Sequence, residues 1–307
     1  IPVSLKIGAP VLLLAGAWFG YRQWRDSHAI LEFVAVAEQA KVPALELTFF
    51  PDELHFTSPS PAPAIGTART EGSSGIAVGD DLVPDTALVR WRGAGVGTGY
   101  ARVHRGRTNE PIRLAPPGVV AGRVGTPRGF FCLGLRTLGL EAVGGARVIG
   151  LGGGDHGVPL CEATTDADGR FRLEGFAADV ANLGIRVLAK GHAIASVSWS
   201  DGRIDPIVAL VPTEPIAGSV VLPPTVKGDA LRLLAKGLPG VDCEFAADGS
   251  FTLDHVPPGL EPRLLVYGLP AGLTHALVHA MPGDRNVRIQ VVRAARLRGR
   301  VVDRQTQ

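Results

Sequence analysis

The feature that most constrains this chain is a turn followed by a strand, which occurs twice with a spacing of eighty residues. The copies are Thr165-Asp166-Ala167-Asp168-Gly169-Arg170-Phe171-Arg172-Leu173 and Ala247-Asp248-Gly249-Ser250-Phe251-Thr252-Leu253. Asp-Gly favours a hairpin turn, because glycine adopts a positive φ without steric cost and aspartate bonds to the turn backbone. After each turn, Phe and Leu alternate with polar residues, which predicts a strand with one apolar face. We therefore assign Asp168, Gly169, Asp248 and Gly249 as structural turn residues.

The composition is that of a folded, all-β protein. Of the 307 residues, 46% are hydrophobic and 20% are charged, which is typical of globular domains. The 40 Gly and 24 Pro are spread without a collagen period, as in proteins with many short strands joined by tight turns. The net charge of +2 is scattered along the chain. We exclude nucleic acid as a partner, because phosphate binding needs a basic stripe or a recognition element.

Two further landmarks recur in the same order along the chain. A glycine between apolar residues occurs at 120–124, 216–220 and 297–301, and a strand that ends in glycine occurs at 88–93, 185–191 and 264–268. A weaker form of the repeated turn stands at 74–78. The first landmarks are 96 and then 81 residues apart, which is enough for about seven short strands per unit, the size of a sandwich domain.

The landmarks predict β-sandwich units at 42–117, 118–213 and 214–293, with the start of a further unit at 294–307. The first unit is degenerate, and an irregular domain next to a membrane anchor is the alternative for it. A Pro- and Ser-rich stretch at 58–63 predicts a stiff loop or linker.

The segment 1–26 is predicted to be a membrane anchor or an export signal. Residues 7–21 carry no charge, and Trp18, Tyr21 and Trp24 stand beside Arg22 and Arg25, as such residues do at a membrane interface. Ala15-Gly16-Ala17 fits a cleavage site, whereas the arginines favour an uncleaved anchor, so cleavage stays open. The β domains would lie outside the cytoplasm, in a membrane-anchored or secreted protein. Because the sequence starts at Ile1 and ends in a strand-like run, we also expect a fragment of a longer protein.

A short helix is predicted at 27–41, continuing from the apolar segment. Ile30, Leu31 and Val34 fall near helical spacing, with Glu32 on the other side. Pro43 would end this helix.

The order of the landmarks resembles that of the carboxypeptidase regulatory-like domain. The resemblance rests on the glycine-containing opening strand, the turn at 165–173 and the sequence Val187-Leu188-Ala189-Lys190-Gly191-His192, and it covers 118–213 best and 214–293 next. It implies tandem transthyretin-like, Greek-key β-sandwich domains, related to the collagen-adhesin B-type repeats of bacterial surface proteins. Such domains usually serve as non-catalytic folding, spacing or binding modules. The adhesin relatives can carry a Lys–Asn cross-link, but Asn182 and Asn286 stand in different contexts here, so we do not expect one.

No motif predicts a catalytic, cofactor or metal site. The sequence at 152–157 satisfies G-x-G-x-x-G, but a strand rather than a helix follows it, which excludes a dinucleotide site. Asp166-x-Asp168-Gly169 begins like a calcium loop but lacks the closing glutamate. Asp155 and His156 would form a site with His192 only if their loop folded back, so we expect a solvated loop there.

Three cysteines, Cys132, Cys161 and Cys243, show neither a C-x-x-C pair nor zinc spacing. Cys161 and Cys243 precede the repeated turns at nearly the same place, so we expect small buried strand residues. A disulfide between Cys132 and Cys161 is the alternative.

Trp199 is the aromatic residue that we single out as a ligand contact, because it lies on the loop side of a strand. We expect a non-catalytic bacterial cell-envelope protein whose tandem sandwiches act as a stalk and as an interaction surface for other envelope proteins or glycans. The membrane would be contacted through the N-terminal segment, and no cofactor is expected. The alternative is an accessory region of a larger secreted or membrane enzyme, a peptidase or a carbohydrate-active protein, with its catalytic domain outside this chain.

Overall fold

The computed structural model describes residues 27–35, 41–51, 64–107, 109–127, 139–152, 157–180, 182–200, 205–224, 226, 231–236, 238 and 241–295. Within these ranges the chain forms strands, turns and bends but no helix, so the prediction of an all-β protein is confirmed. No helix in this part of the chain is long and apolar enough to cross a membrane. The predicted anchor or signal at 1–26 lies outside the described residues.

The strands fall into three consecutive sets. The first set is β1 (Ala29–Val34), β2 (Leu45–Pro51), β3 (Gly66–Thr70), β4 (Gly75–Val78), β5 (Thr86–Gly93), β6 (Val96–His104) and β7 (Ile112–Arg113). The second set is β8 (Pro117–Pro127), β9 (Leu140–Ala142), β10 (Arg147–Gly152), β11 (Val158–Thr164), β12 (Arg170–Ala177), β13 (Leu183–Leu188), β14 (Ala195–Trp199) and β15 (Ile207–Ala209). The third set is β16 (Ile216–Val221), β17 (Arg232–Lys236), β18 (Asp242–Glu244), β19 (Ser250–Leu253), β20 (Arg263–Tyr267), β21 (Leu273–His275), β22 (Val278–His279) and β23 (Val287–Arg293).

The three sets pair their strands in the same way. In the first set, the opening strand β1 pairs antiparallel with β4 and parallel with β7. In the second set, β8 pairs in the same way with β12 and β15, and in the third set β16 pairs in the same way with β19 and β23. We call this the opening sheet of the set. The facing sheet has the orders β3-β2-β5-β6, β11-β10-β13-β14 and β18-β17-β20-β22. The shared order is a finding of the structure, whereas assignment to the transthyretin-like Greek-key class stays a prediction.

The helix predicted at 27–41 is wrong for the described part of that segment, because Ala29–Val34 is strand β1. Ala29, Leu31 and Phe33 are buried and the residues between them are exposed, which is the period of two of a strand. Pairing with both β4 and β7 fixes this conformation, which helical spacing of the apolar residues alone could not reveal. The first set of strands therefore begins before residue 42.

One hydrogen bond marks the repeated turn in all three sets. The backbone N–H of Phe33, Val124 and Val220 donates to the carbonyl oxygen of Ser74, Gly169 and Gly249, at 2.7, 2.7 and 2.8 Å. The segment 74–78, which the sequence shows as a weaker copy of the turn and strand, thus occupies the same place as the two Asp-Gly copies.

The landmark glycine leaves room for an aromatic ring. Gly122 lies opposite Phe171, and Gly218 lies opposite Phe251. A Cβ atom on Gly122 would lie 2.5 Å from Cζ of Phe171, closer than real Cβ atoms approach their neighbours. In the first set, Leu31 and Ile76 stand at the equivalent positions. A large and a small residue are thus replaced by two of medium size, which explains why the first unit looks degenerate in sequence.

The opening and facing sheets of a set enclose one apolar core. In the first set, the core contains Leu31 and Phe33 of β1, Leu47 of β2, and Val89 and Trp91 of β5. The third set has a separate apolar core, drawn from β16, β17, β19, β20 and β23. Each of these sets is therefore a β-sandwich with its own core.

The described strands belong to two compact units. The first unit extends to Ala209 but excludes Leu188–Ile194. The second unit consists of Leu188–Ile194 and the chain from Leu210 onward. Within the first unit, an eight-stranded sheet in the order β15-β8-β12-β6-β5-β2-β3, with β9 paired to β8, joins the first and second sets. The boundaries drawn from the sequence at 117/118 and 213/214 stay predictions.

Candidate functional site

The Asp-Gly turns use their own carboxylates. Gly169 and Gly249 have φ values of +70° and +80°, a region in which a Cβ atom is strained. In the first of these turns, Oδ1 of Asp166 accepts hydrogen bonds from the backbone N–H groups of Asp168, at 2.9 Å, and Arg170, at 2.8 Å. Asp166 rather than Asp168 therefore holds this turn.

The second Asp-Gly turn achieves the same shape with a different residue. Ala246 replaces Asp166, and Oδ1 of Asp248 accepts a hydrogen bond from the backbone N–H of Ser250 at 2.9 Å. Hydrogen bonds from Ser250 hold the pKa of the exposed Asp248 carboxyl below its ordinary value. Among the described residues, no three His, Cys, Asp or Glu side chains lie close enough to hold a metal ion together.

Trp199 lies at the end of β14, the outer strand of its sheet, and is half-buried. Its ring meets the buried ring of Phe176 edge to face, with centroids 6.3 Å apart. Part of the indole is therefore packed against the protein, and the rest is accessible. Its role as a ligand contact stays a prediction.

The other residues singled out from the sequence do not come together. Asp155, His156 and Cys132 lie outside the described residues. Nδ1 of His192 lies 3.0 Å from the carbonyl oxygen of Lys190. Cys161 and Cys243 are free thiols, and burial raises the pKa of each to about 12, so both are unreactive side chains at neutral pH.

The most specific arrangement of side chains in the first unit lies between the first and second sets. We call it the sandwich junction, and it consists of Phe50, Leu88, Arg90 and Tyr100 of the first set with Val158 and Pro159 of the second. Phe50 is 2% exposed and Val158 is 1% exposed, and Leu88 and Tyr100 pack against them. Edge strand β11 of the second set therefore rests on the outer surface of the facing sheet of the first set.

Arg90 ties the junction together. Its Nη1 donates a hydrogen bond to the carbonyl oxygen of Pro159 at 3.0 Å, and its guanidinium lies over the ring of Phe50, 5.3 Å from the centroid. Desolvation lowers the pKa of Arg90 from its ordinary value, and the neighbouring charge of Arg92 acts in the same direction. A partly buried arginine that bonds a carbonyl and stacks on an aromatic ring fixes the orientation of both partners.

The connection between the first two sets is also fixed by backbone hydrogen bonds. Leu114 donates to Val34 at 2.9 Å, the Ala115 carbonyl accepts from Gly97 at 2.8 Å, and the Pro116 carbonyl accepts from Ala178 at 2.9 Å. Each residue of the three-residue linker is thereby bonded to one of the two sets. Strand β6 of the first set also pairs with β12 of the second at Thr98 and Phe176.

Sequence reasoning missed this junction, although one signal was present. Phe49 and Phe50 are consecutive, and both are buried, which in a strand means that both faces of the sheet are covered. Phe49 points into the core of its own set, and Phe50 belongs to the junction.

The described part of the chain therefore belongs to the class of all-β proteins built from β-sandwiches. No protein-family model and no curated protein matches the chain. Among solved structures, the TIE protein of Bacillus anthracis is 12% identical with a TM-score of 0.24, and the match covers 86% of this chain and 50% of that one. The shaft pilin SpaA of Lactobacillus rhamnosus GG is 12% identical with a TM-score of 0.24, over 64% of this chain and 99% of that one.

A third match is BcpA, the major pilin subunit of Bacillus cereus, at 10% identity and a TM-score of 0.21, over 86% of this chain and 97% of that one. This chain thus spans half of the TIE protein chain.

Proposed function

We propose that this chain is a non-catalytic bacterial envelope protein in which tandem β-sandwiches form a stalk and present surfaces for other envelope proteins or glycans. The observation that carries the proposal is the sandwich junction. A continuous sheet, a bonded linker and a packed aromatic cluster couple the first two sandwiches. Such coupling fixes the spacing and orientation of the two sandwiches, whereas flexibly linked domains move relative to one another.

Export is the second part of the proposal, and it rests on the apolar segment 7–21 with its aromatic and basic flank. The test is a fusion of alkaline phosphatase after Ala295 in the gene product with its natural start. We expect active phosphatase in a bacterial host, and inactive enzyme when 1–26 is deleted. Green fluorescent protein at the same position is the matched control and should stay dark on export. Bright fluorescence with inactive phosphatase would contradict an extracytoplasmic location.

Binding of glycans is proposed at Trp199, because the accessible part of its ring can stack on a sugar. Trp199→Ala should reduce retention of the chain on envelope polysaccharide, while Tyr267→Ala, an exposed aromatic residue on another strand, should not. Equal retention of the two variants and the parent chain would exclude Trp199 as the contact. A catalytic domain elsewhere in the gene product would favour the accessory-region alternative.

A further inference from the structure

The third set exposes an apolar surface on the outer side of its facing sheet. Tyr267 is 68% exposed and Leu277 is 58% exposed. Leu265, two residues before Tyr267 on β20, lies opposite Leu234 of β17, and both leucines are half-buried. We call these four residues the third-set face. Monomeric proteins place few large apolar side chains side by side on a sheet surface unless another element covers them.

The third-set face is the counterpart of the surface that the sandwich junction buries in the first set. Strand β5 ends at Gly93 and strand β20 ends one residue before Gly268, and in both sheets the residue three positions before the glycine points outward at the centre. That residue is Arg90 in the first set and Leu265 in the third. The outer surface around Arg90 carries edge strand β11 of the following sandwich.

The chain after the third set repeats the connection that leads into the second sandwich. Gly122 follows buried Ile112 of β7 by ten positions, and Gly218 follows buried Val208 of β15 by ten positions. Gly299, the glycine of the landmark at 297–301, likewise follows buried Ile289 of β23 by ten positions. The same connection length after the same strand predicts that a further opening strand follows in the same position.

We propose that the third-set face is the docking surface for a further β-sandwich domain of the same repeat, the one that the landmark at 297–301 opens. The third-set face differs from the first-set surface at its central residue, and this difference specifies the partner. Leu265 occupies the position at which Arg90 of the first set donates a hydrogen bond to a carbonyl oxygen, so the centre of the third-set contact is apolar. The incoming edge strand therefore presents branched apolar side chains there, like Val158, and its polar groups lie toward Lys236 and Arg263 on one side.

The proposal rests on the tandem arrangement of the proposed function, and a labelling experiment tests it. Leu277→Cys is placed in a chain that ends at Ala295 and in the gene product that continues beyond residue 296. Reaction with a maleimide is followed at this site by mass spectrometry. We expect the labelling rate to be at least about tenfold lower in the longer chain. The reason is that a docked domain would leave the site open for about a tenth of the time or less.

Leu260→Cys is the matched control, because Leu260 is 42% exposed in the loop before β20, and the corresponding loop of the first set lies outside the sandwich junction. Its labelling should be equal in the two chains. Adding Leu265→Asp to the longer chain should restore fast labelling at Leu277→Cys. An unchanged circular dichroism spectrum of the short chain with Leu265→Asp would show that the substitution leaves the third set folded.

Equal labelling of Leu277→Cys in the two chains overturns the proposal, as does a gene product without a sandwich domain after residue 296. The first outcome leaves the stalk and its export untouched, because the phosphatase fusion measures these separately. Protection of Leu277→Cys that persists with Leu265→Asp would also overturn it, since the covering element would then not depend on the apolar centre.

Discussion

At the scale of single residues, a glycine on the opening strand leaves space for the ring of a phenylalanine on the neighbouring strand. This complementarity decides whether the two strands can pair. A Cβ atom on Gly122 would lie 2.5 Å from Cζ of Phe171 and 2.5 Å from the carbonyl oxygen of Pro206, so ring and backbone must both move. We expect Gly122→Ala to lower the free energy of unfolding by about 1–3 kcal/mol, the usual cost of overpacking. Urea denaturation measures this change in the free energy of unfolding.

Gly139→Ala is the control for this substitution, because a Cβ atom there would meet no atom of the described residues within 4 Å and the φ of Gly139 is not in the left-handed region. It should change the free energy of unfolding by less than about 0.5 kcal/mol. Equal effects of the two substitutions would show that loss of glycine itself, rather than the ring of Phe171, matters.

The turn at 165–173 gives a second prediction at this scale. Asp166 accepts two backbone hydrogen bonds through Oδ1, whereas no hydrogen bond to the side chain of Asp168 is found among the described contacts. Asp166→Ala should therefore destabilise the protein by about 1 kcal/mol. Asp168→Ala, two positions away in the same turn, should cost less than about 0.5 kcal/mol. A larger effect at Asp168 in thermal denaturation would contradict the observed geometry.

At the scale of elements, the sandwich junction should behave as a coupled contact between two sets of strands. Phe50 and Val158 lie in different sets and are both buried in the same small cluster. In a double-mutant cycle with Phe50→Ala and Val158→Ala, we expect a coupling energy of about 0.5–3 kcal/mol. The cycle of Phe50→Ala with Leu253→Ala, a buried residue of the third set, should give a value near zero. Additive effects in the first cycle would argue against direct packing across the junction.

The pairing of β10 with β11 predicts a pH dependence. Arg147 donates from Nε to Oε1 of Glu162 at 2.6 Å and from Nη2 to Oε2 at 2.8 Å. The hydrogen bond from Arg147 lowers the pKa of Glu162 below its ordinary value of 4.5. Since the folded-state pKa is the lower one, the pair stabilises the protein at pH above the unfolded value and loses this contribution as pH falls through the folded value.

Glu162→Gln should accordingly cost about 0.5 kcal/mol at pH 7, the size of a solvent-exposed ion pair, and the difference from the parent chain should shrink as the pH falls below the ordinary glutamate pKa of 4.5. Glu71→Gln, at an exposed carboxylate with no described ion pair, serves as the control. A difference that grows on acidification would have the wrong sign for this pair.

At the scale of the whole molecule, the two compact units should unfold as two cooperative events. The first unit contains two sandwiches joined by one sheet, and the second unit has its own core. We expect two transitions in calorimetry of residues 27–295. Val89→Ala should lower the first unit's transition temperature and Leu264→Ala the second unit's, because these fully buried residues occupy the same position in the two facing sheets. A single transition shifted by either substitution would contradict this division.

The sequence alone determined the local structure of this chain, which means where strands and turns form. Alternation of apolar and polar residues and the glycines of the tight turns specify strands and turns through short-range sterics, so the all-β class and the repeated order of landmarks could be predicted. The same local view failed at 29–34, where apolar residues near helical spacing form β1. Its conformation is set by partners 40 to 80 residues away in sequence, at β4 and β7.

Only the tertiary structure decided which strands are neighbours and which surfaces are covered. It brings Phe50 and Val158 together and shows that the first set has the same strand pairing as the other two although its sequence has diverged. The physical reason is that burial and sheet pairing are properties of the assembled layers. A core accepts a leucine and an isoleucine in place of a glycine and a phenylalanine as long as the volume between the sheets is filled.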